Sequence, residues 1–270
     1  MYQKLSQGAF FGFQAPSAKI AIAYLFHPAR GVFLLSPFFL WSIAGFLRWW
    51  RSREARADFA LCLTSTLLFF IAMTAYPNWH GGWSLGSRYL LPILFFATFP
   101  ISRALDTSLS RGLFLAAVVF SVGLHFVLTS TFAHFPEWVP FPAFTGSLWF
   151  LAHGWIAPSL FGSWGGAAAL AVAAVVLAAA LVLSARAAAP LAPKPAMCAL
   201  LGLAPLAALL LHPPPVPYMA RLWRAGVYGQ YSDLDPGRRE LVEVARAAAT
   251  PEEQRDAMRA WRLFGPRPSP

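Results

Sequence analysis

The side chains best suited to chemistry crowd into one stretch, residues 76–92, which reads YPNWHGGWSLGSRYLLP. Gly81, Gly82 and Gly86 let a backbone turn tightly and approach a ligand closely. Trp79, Trp83 and Tyr89 are residues that settle at the headgroup level of a membrane. Arg88 is the one basic residue of the segment 77–88, and its planar fork matches the oxygens of a phosphate. His80 can carry a proton or hold a phosphate. An interfacial turn with a snorkelling arginine would use the same residues without chemistry; their density in one loop argues for a site. A second stretch, residues 24–38 (YLFHPARGVFLLSPF), places His27 one turn before Arg30-Gly31, where an apolar run opens, and Ser36-Pro37 breaks that run early. Arg30 can share an anionic group with Arg88. His125 falls inside another apolar run, where an ionisable group is a candidate by default, although a neutral imidazole bonded to a neighbouring helix is the commoner case. His134, Glu137 and His153 show no metal-ligand spacing.

The elements that must position these residues are apolar helices. The chain is 270 residues long, 58% hydrophobic and only 12% charged, with a mean hydropathy of +0.55. A soluble domain carries about twice that share of charge; the composition excludes a disordered chain and argues against an ordinary soluble enzyme. Six runs suit membrane spans: residues 31–49, 58–76, 89–101, 112–131, 165–183 and 197–211. The third and sixth are short and carry Pro92 and Pro205, so kinks or flanking extensions are expected there. The fold class expected is all-α, a polytopic transmembrane bundle of about six spans over residues 1–211. The fifth run, GGAAALAVAAVVLAAALVL, permits close helix packing but is no evidence of function.

The net charge of +10 has a topological explanation. Arg48, Arg51, Arg53 and Arg56 lie between the first two runs, Arg103 and Arg111 between the third and fourth, and Arg186 and Lys194 between the fifth and sixth. The alternate loops carry only Arg88, or no Lys or Arg at all. Cytoplasmic loops hold the basic excess, which places the N-terminus, the 76–92 loop and the C-terminal tail outside. No block of Lys and Arg interleaved with aromatics argues for nucleic acid. Cys62 and Cys198 sit in apolar runs without a CxxC, as small buried hydrophobes do.

The tail, residues 212–270, is of different material. HPPPVP is a stiff, extended exit from the membrane. Asp235-Pro236 reads as the start of one short helix, and Thr250-Pro251-Glu252-Glu253 as the capping box of a second. Both carry apolar stripes, so the tail is expected to form a small amphipathic hairpin on the outer face, packing on its own membrane domain or on a partner subunit. There is no P-loop, no HExxH, no nucleophile elbow and no internal repeat. No acidic residue falls in the middle of a run, so a proton relay has no evident carboxylate.

The segment WHGGWSLGSRYLLPILFF resembles a pattern, W-x-G-G-x-S-x-G-P-R-Y-L-x-P, of bacterial polytopic membrane proteins of the GT-C glycosyltransferase superfamily. YLFHPARGVFLLSPFFL resembles the same proteins' L-x-x-P-x-R-G-L-x-x-x-S-P, and the two occur here in the same order, about a basic inner loop. The likeness covers residues 12–96, with Ser87 standing where the pattern has proline. It implies a mannosyltransferase-like enzyme of the bacterial inner membrane that takes a sugar from a polyprenyl-phosphate donor on the extracytoplasmic face. It implies substrate contacts from Arg88, His80, Tyr89, Trp79, Trp83 and Arg30. No cofactor is identified in the chain; a divalent metal belongs to the full-length family's possibilities. That family's catalytic carboxylate lies in a first outer loop near the N-terminus, to which nothing here corresponds, so the acidic base is expected outside this chain.

Two functions compete on this reading: the C-terminal part of such a transferase, inactive alone, and a non-catalytic membrane accessory subunit or scaffold. A lipid-linked oligosaccharide flippase is a weaker third, because no repeat or charged midplane site accompanies the runs. The first reading expects an immunoblot of host membranes, probed against the tail, to show a product larger than 29.5 kDa; a product of that mass favours the accessory subunit.

Overall fold

A computed structural model describes residues 13–76, 79, 88–131, 142–152, 175, 195–211, 218, 221–222, 224–225 and 242–264. Among these residues every regular element is helical, so the all-α class holds. The chain divides into two units. The first comprises Met1–His125 with Ala180–Ala207, and the second Phe126–Ala179 with Ala208–Pro270.

In the first unit α1 spans Ala18–Phe26 and α2 is a single turn, Val32–Leu35. α3 spans Leu40–Ser52 and α4 spans Arg56–Thr74. α5 spans Leu91–Thr98 and passes into a 3-10 segment, Phe99–Ala104. α6, Ser108–Thr131, belongs to this unit as far as His125, and α8, Pro195–Leu211, as far as Ala207. α7, Leu148–Ala152, and α9, Pro251–Phe264, lie in the second unit.

Among the described residues two helices are long and apolar enough to cross a membrane, α4 and α6. In α4 only 11% of the apolar window is buried. Leu61, Leu67, Leu68 and Ile71 stand exposed along it. The core helix of a soluble protein would be mostly buried. The other expected runs take different forms. Residues 31–49 are not one helix: Ser36 leaves helical geometry at φ −139°, ψ 65°, and Pro37, with no N–H to donate, starts a 3-10 turn through Phe39 before α3 begins. Residues 89–101 divide as well. Pro92 sits in the first turn of α5, where its missing N–H costs nothing, and the change to 3-10 geometry comes at Pro100's turn. The run 165–183 lies, except for helical Val175, outside the described residues.

Among the described residues a very close contact joins α3 to the 3-10 segment. A methyl group built on Gly45 would overlap the carbonyl of Pro100. Hydrogen bonds and ion pairs then pin the neighbouring turns. Trp41 Nε1 donates to Ser110 Oγ at 2.8 Å, and that hydroxyl donates to the Ala104 carbonyl at 2.7 Å. Arg48 pairs with Asp106 at 2.5 Å, and Arg103 with Glu54 at 2.7 Å. The hydrogen bond from Arg48 holds the exposed Asp106 carboxyl below its ordinary range. That contribution is present above the ordinary carboxylate range and fades as pH falls through the lowered one. On α6, Gly112 and Gly123 face Cys198 and Leu206 of α8, and Gly202 of α8 abuts Ala116. Small residues at these crossings fit helices that gain no hydrophobic drive from lipid and associate by close packing.

In the second unit the helical residues Tyr218, Leu222 and Ala225 pack with Val244. The tail's capping box forms as expected. Glu253 N donates to Thr250 Oγ1 at 3.1 Å, and Thr250 N donates to Glu253 Oε2 at 3.2 Å. Of the first tail helix, residues 242–246 are described and helical; the rest lies outside the described residues. Burial, with the nearby Glu253 and Asp256 charges, raises the Tyr218 phenol against the opposing pull of Arg221.

A paired substitution tests the Gly45 contact. Gly45→Ala meets backbone that cannot yield, and is expected to lower the thermal unfolding midpoint by several degrees, in the range of about 1–3 kcal/mol of overpacking. Gly123→Ala meets the flexible side-chain ends of Leu206 and Leu203 and is expected to stay near wild type. Differential scanning fluorimetry in detergent compares the two.

Candidate functional site

The site is built around the turn between α1 and α2. His27 ends α1 with its N–H on the Ala23 carbonyl. Its own carbonyl then accepts from Arg30 N at 3.1 Å and Gly31 N at 2.5 Å, and its Nδ1 accepts from Ala29 N at 3.1 Å. Accepting at Nδ1 leaves the proton of the neutral ring on Nε2. Gly31 is needed here, because a side chain would overlap the backbone of Phe26 and His27. The turn buries Arg30 to 3% exposure.

Trp79 is the hub. The Arg30 guanidinium lies 6.0 Å from its ring centre, at the outer limit of a cation–π contact. The His27 ring meets it edge-on at 5.3 Å, and the Tyr24 ring at 5.6 Å. Tyr24 is fully buried and also packs against Phe70 of α4 at 6.3 Å. Its hydroxyl has no hydrogen-bond partner among the described residues. Burial first, then the proximity of Tyr89 and Tyr76, pushes the Tyr24 phenol up to about 12. Tyr76 stacks edge-on with Tyr89 at 5.5 Å and against Phe13 at 5.8 Å. The segment before α1 is strapped to the end of α4 by Gln14 N on the Ala75 carbonyl (2.7 Å) and Ser17 N on the Thr74 carbonyl (3.1 Å).

Beside this cluster lies an apolar cavity of about 360 Å³, walled in part by Val32, Phe33, Phe46, Leu67, Phe70 and Leu90. Its size is at the lower end for ligand sites, and its lining suits a hydrocarbon chain. Ser42 and Thr66 also face it, and their hydroxyls find no partner among the described residues. Hydroxyls elsewhere on these helices bond locally, as Thr74 Oγ1 does to the Ile71 carbonyl at 2.7 Å.

Of the residues singled out from sequence, Arg30 and Trp79 are brought together, and Tyr89 joins them through Tyr76 and Tyr24. Arg88 opens the 3-10 turn Arg88–Leu90, but its side chain, with His80 and Trp83, lies outside the described residues. Tyr24 and Tyr76 carry more of the site than their sequence context suggested. The available signal was spacing: Tyr24, His27 and Arg30 recur every third residue. His125 donates from Nδ1 to the Ser121 carbonyl of its own helix at 2.8 Å. His134, Glu137 and His153 lie outside the described residues. Among the described residues no three His, Cys, Asp or Glu side chains gather as metal ligands would.

No protein-family model, curated protein or solved structure matches the chain.

The buried phenol has a pH signature. The fold favours neutral Tyr24, so its contribution is complete below pH 10 and is lost as pH rises from 10 through about 12. Tyr24→Phe, which keeps the ring and removes a hydroxyl without a partner, is expected to fold normally and to lose stability less steeply across that window. Tyrosinate absorbance should lose its latest-titrating component in this variant; an unchanged late component assigns it to another tyrosine.

Proposed function

We propose that this chain is the C-terminal part of a membrane-embedded, GT-C-like sugar transferase, inactive alone, that acts on a polyprenyl-phosphate sugar donor at the extracytoplasmic face of the bacterial inner membrane. The observation that carries the reading is the burial of Arg30 against Trp79. These residues come from the two segments that bear the family likeness, and they are separated in sequence by α3 and α4. A guanidinium among aromatic rings, away from bulk water, attracts a phosphate far more strongly than an exposed one does.

In this reading Arg30 and Arg88 hold the donor phosphate, and Trp79, Trp83 and Tyr89 flank the sugar. His80 contacts the acceptor or phosphate, and the apolar cavity beside Tyr24 takes the first isoprene units. Six spans with both termini outside put the 76–92 loop and the tail on the same face. The arginines at 48, 51, 53 and 56, between the first two apolar runs, support that orientation. The tail remains a candidate surface for a partner subunit.

Transfer of labelled sugar from a polyprenyl-phosphate donor is measured in host membranes carrying the protein as the host makes it. Arg30→Ala and Arg88→Ala are each expected to lower transfer about 10- to 100-fold, the scale of a lost hydrogen bond to a charged group. His125→Gln, in α6, should leave it unchanged. Wild-type rates in both arginine variants would sink the transferase reading and favour the accessory subunit.

A further inference from the structure

The turn between α3 and α4 sorts its charges. Two of them are engaged by the neighbouring inner turn: Glu54 accepts from Arg103 at 2.7 Å, and Arg48 pairs with Asp106 at 2.5 Å. Arg103 is fixed further by lying 5.3 Å over the Trp49 ring. Asp58 stands in the first turn of α4, where a carboxylate suits the helix dipole. Arg51, Arg53 and Arg56 remain, all exposed and, among the described residues, with no carboxylate at ion-pair distance.

The backbone explains this division. Arg53 (φ 57°) and Ala55 (φ 43°) are the two non-glycine residues in left-handed geometry among the described residues. Residues with a Cβ seldom adopt it. Three bonds hold the turn: Trp49 Nε1 donates to the Glu54 carbonyl at 3.0 Å, Ser52 Oγ donates to the Trp49 carbonyl at 3.0 Å, and Glu54 N donates to Ser52 Oγ at 3.4 Å. With the turn held this way, the Glu54 carboxylate is paired with Arg103 and not with the arginines on either side of it. Beside them Trp50 is 69% exposed and Leu47 57% exposed. Cations and exposed apolar groups occur together at the end of a helix long enough to cross a bilayer.

We propose that Arg51, Arg53 and Arg56 form a binding site for the headgroup of an anionic phospholipid, with Trp50 and Leu47 against its acyl chains. The guanidinium forks supply donors to a phosphodiester, and clustered arginines at the cytoplasmic end of a span add attraction to anionic lipid residue by residue. The adjoining apolar side chains favour a lipid over a free phosphate. The site rests on α4 lying in a membrane, not on sugar transfer.

The full chain is purified in detergent, offered equal phosphatidylglycerol and phosphatidylcholine, and read by native mass spectrometry. Wild type is expected to retain phosphatidylglycerol about tenfold over phosphatidylcholine, and R51Q/R53Q/R56Q to retain the two equally. Arg48→Gln, which breaks the internal pair, should lower thermal stability and keep the preference. An unchanged preference in the triple variant overturns the proposal. Raising ionic strength from about 0.05 to about 0.5 M must erode the wild-type preference; a salt-insensitive preference also overturns it, and this arm decides the matter should the triple variant fail to fold. Displacement of the lipid by inorganic phosphate would mean a site for the free anion and overturns it too. Release of the wild-type chain from vesicles by alkaline carbonate would refute the membrane reading itself, whereas a retained chain without lipid preference refutes only the headgroup site.

Discussion

The close approach of α3 to the 3-10 segment at Gly45 and Pro100 is the constraint on which the first unit depends. Helices in lipid gain nothing from burying apolar surface that lipid already covers, so contact area and fit must hold them. A glycine facing a proline carbonyl brings two backbones as near as chemistry allows. With that distance set, the turns at the ends of the same elements meet closely enough for Arg48 to reach Asp106 and Arg103 to reach Glu54. The Trp41–Ser110–Ala104 relay then ties the start of α6 to the same corner.

The other end of the unit is organised by aromatic rings around one buried cation. A guanidinium is costly to desolvate, and stacked rings offset only part of that cost. A structure that buries Arg30 beside Trp79, His27 and Tyr24 holds a charge in a setting where its field is weakly screened. The cavity next to it is mostly apolar, with the Ser42 and Thr66 hydroxyls in its wall.

Local features were legible wherever their cause is local. The Thr250–Glu253 capping box forms, because both partners sit within one turn. The Ser36-Pro37 break is real, because proline removes a donor wherever it stands. Pro92 falls in the first turn of α5, where no N–H is required, and the short run around it is flanked by 3-10 turns; helix boundaries are the part of a sequence reading most easily shifted by a few residues. His125 went to its own helix's Ser121 carbonyl, an acceptor four residues away that every helix supplies.

Composition and the spacing of apolar residues determined by themselves that the chain is helical, that α4 and α6 have the length and character of spans, and which loops carry the positive charge. Residue types alone also marked Arg30 and Trp79 as candidates. Only the tertiary structure decided that these two meet, that Tyr24 is fully buried beside them, and that Glu54 and Asp106 engage Arg103 and Arg48 while leaving Arg51, Arg53 and Arg56 exposed. The physical reason is range. Helix type, caps and breaks depend on neighbours within about one turn. Burial and pairing depend on which distant backbones come close, and here that turns on a contact between residues as far apart in sequence as Gly45 and Pro100.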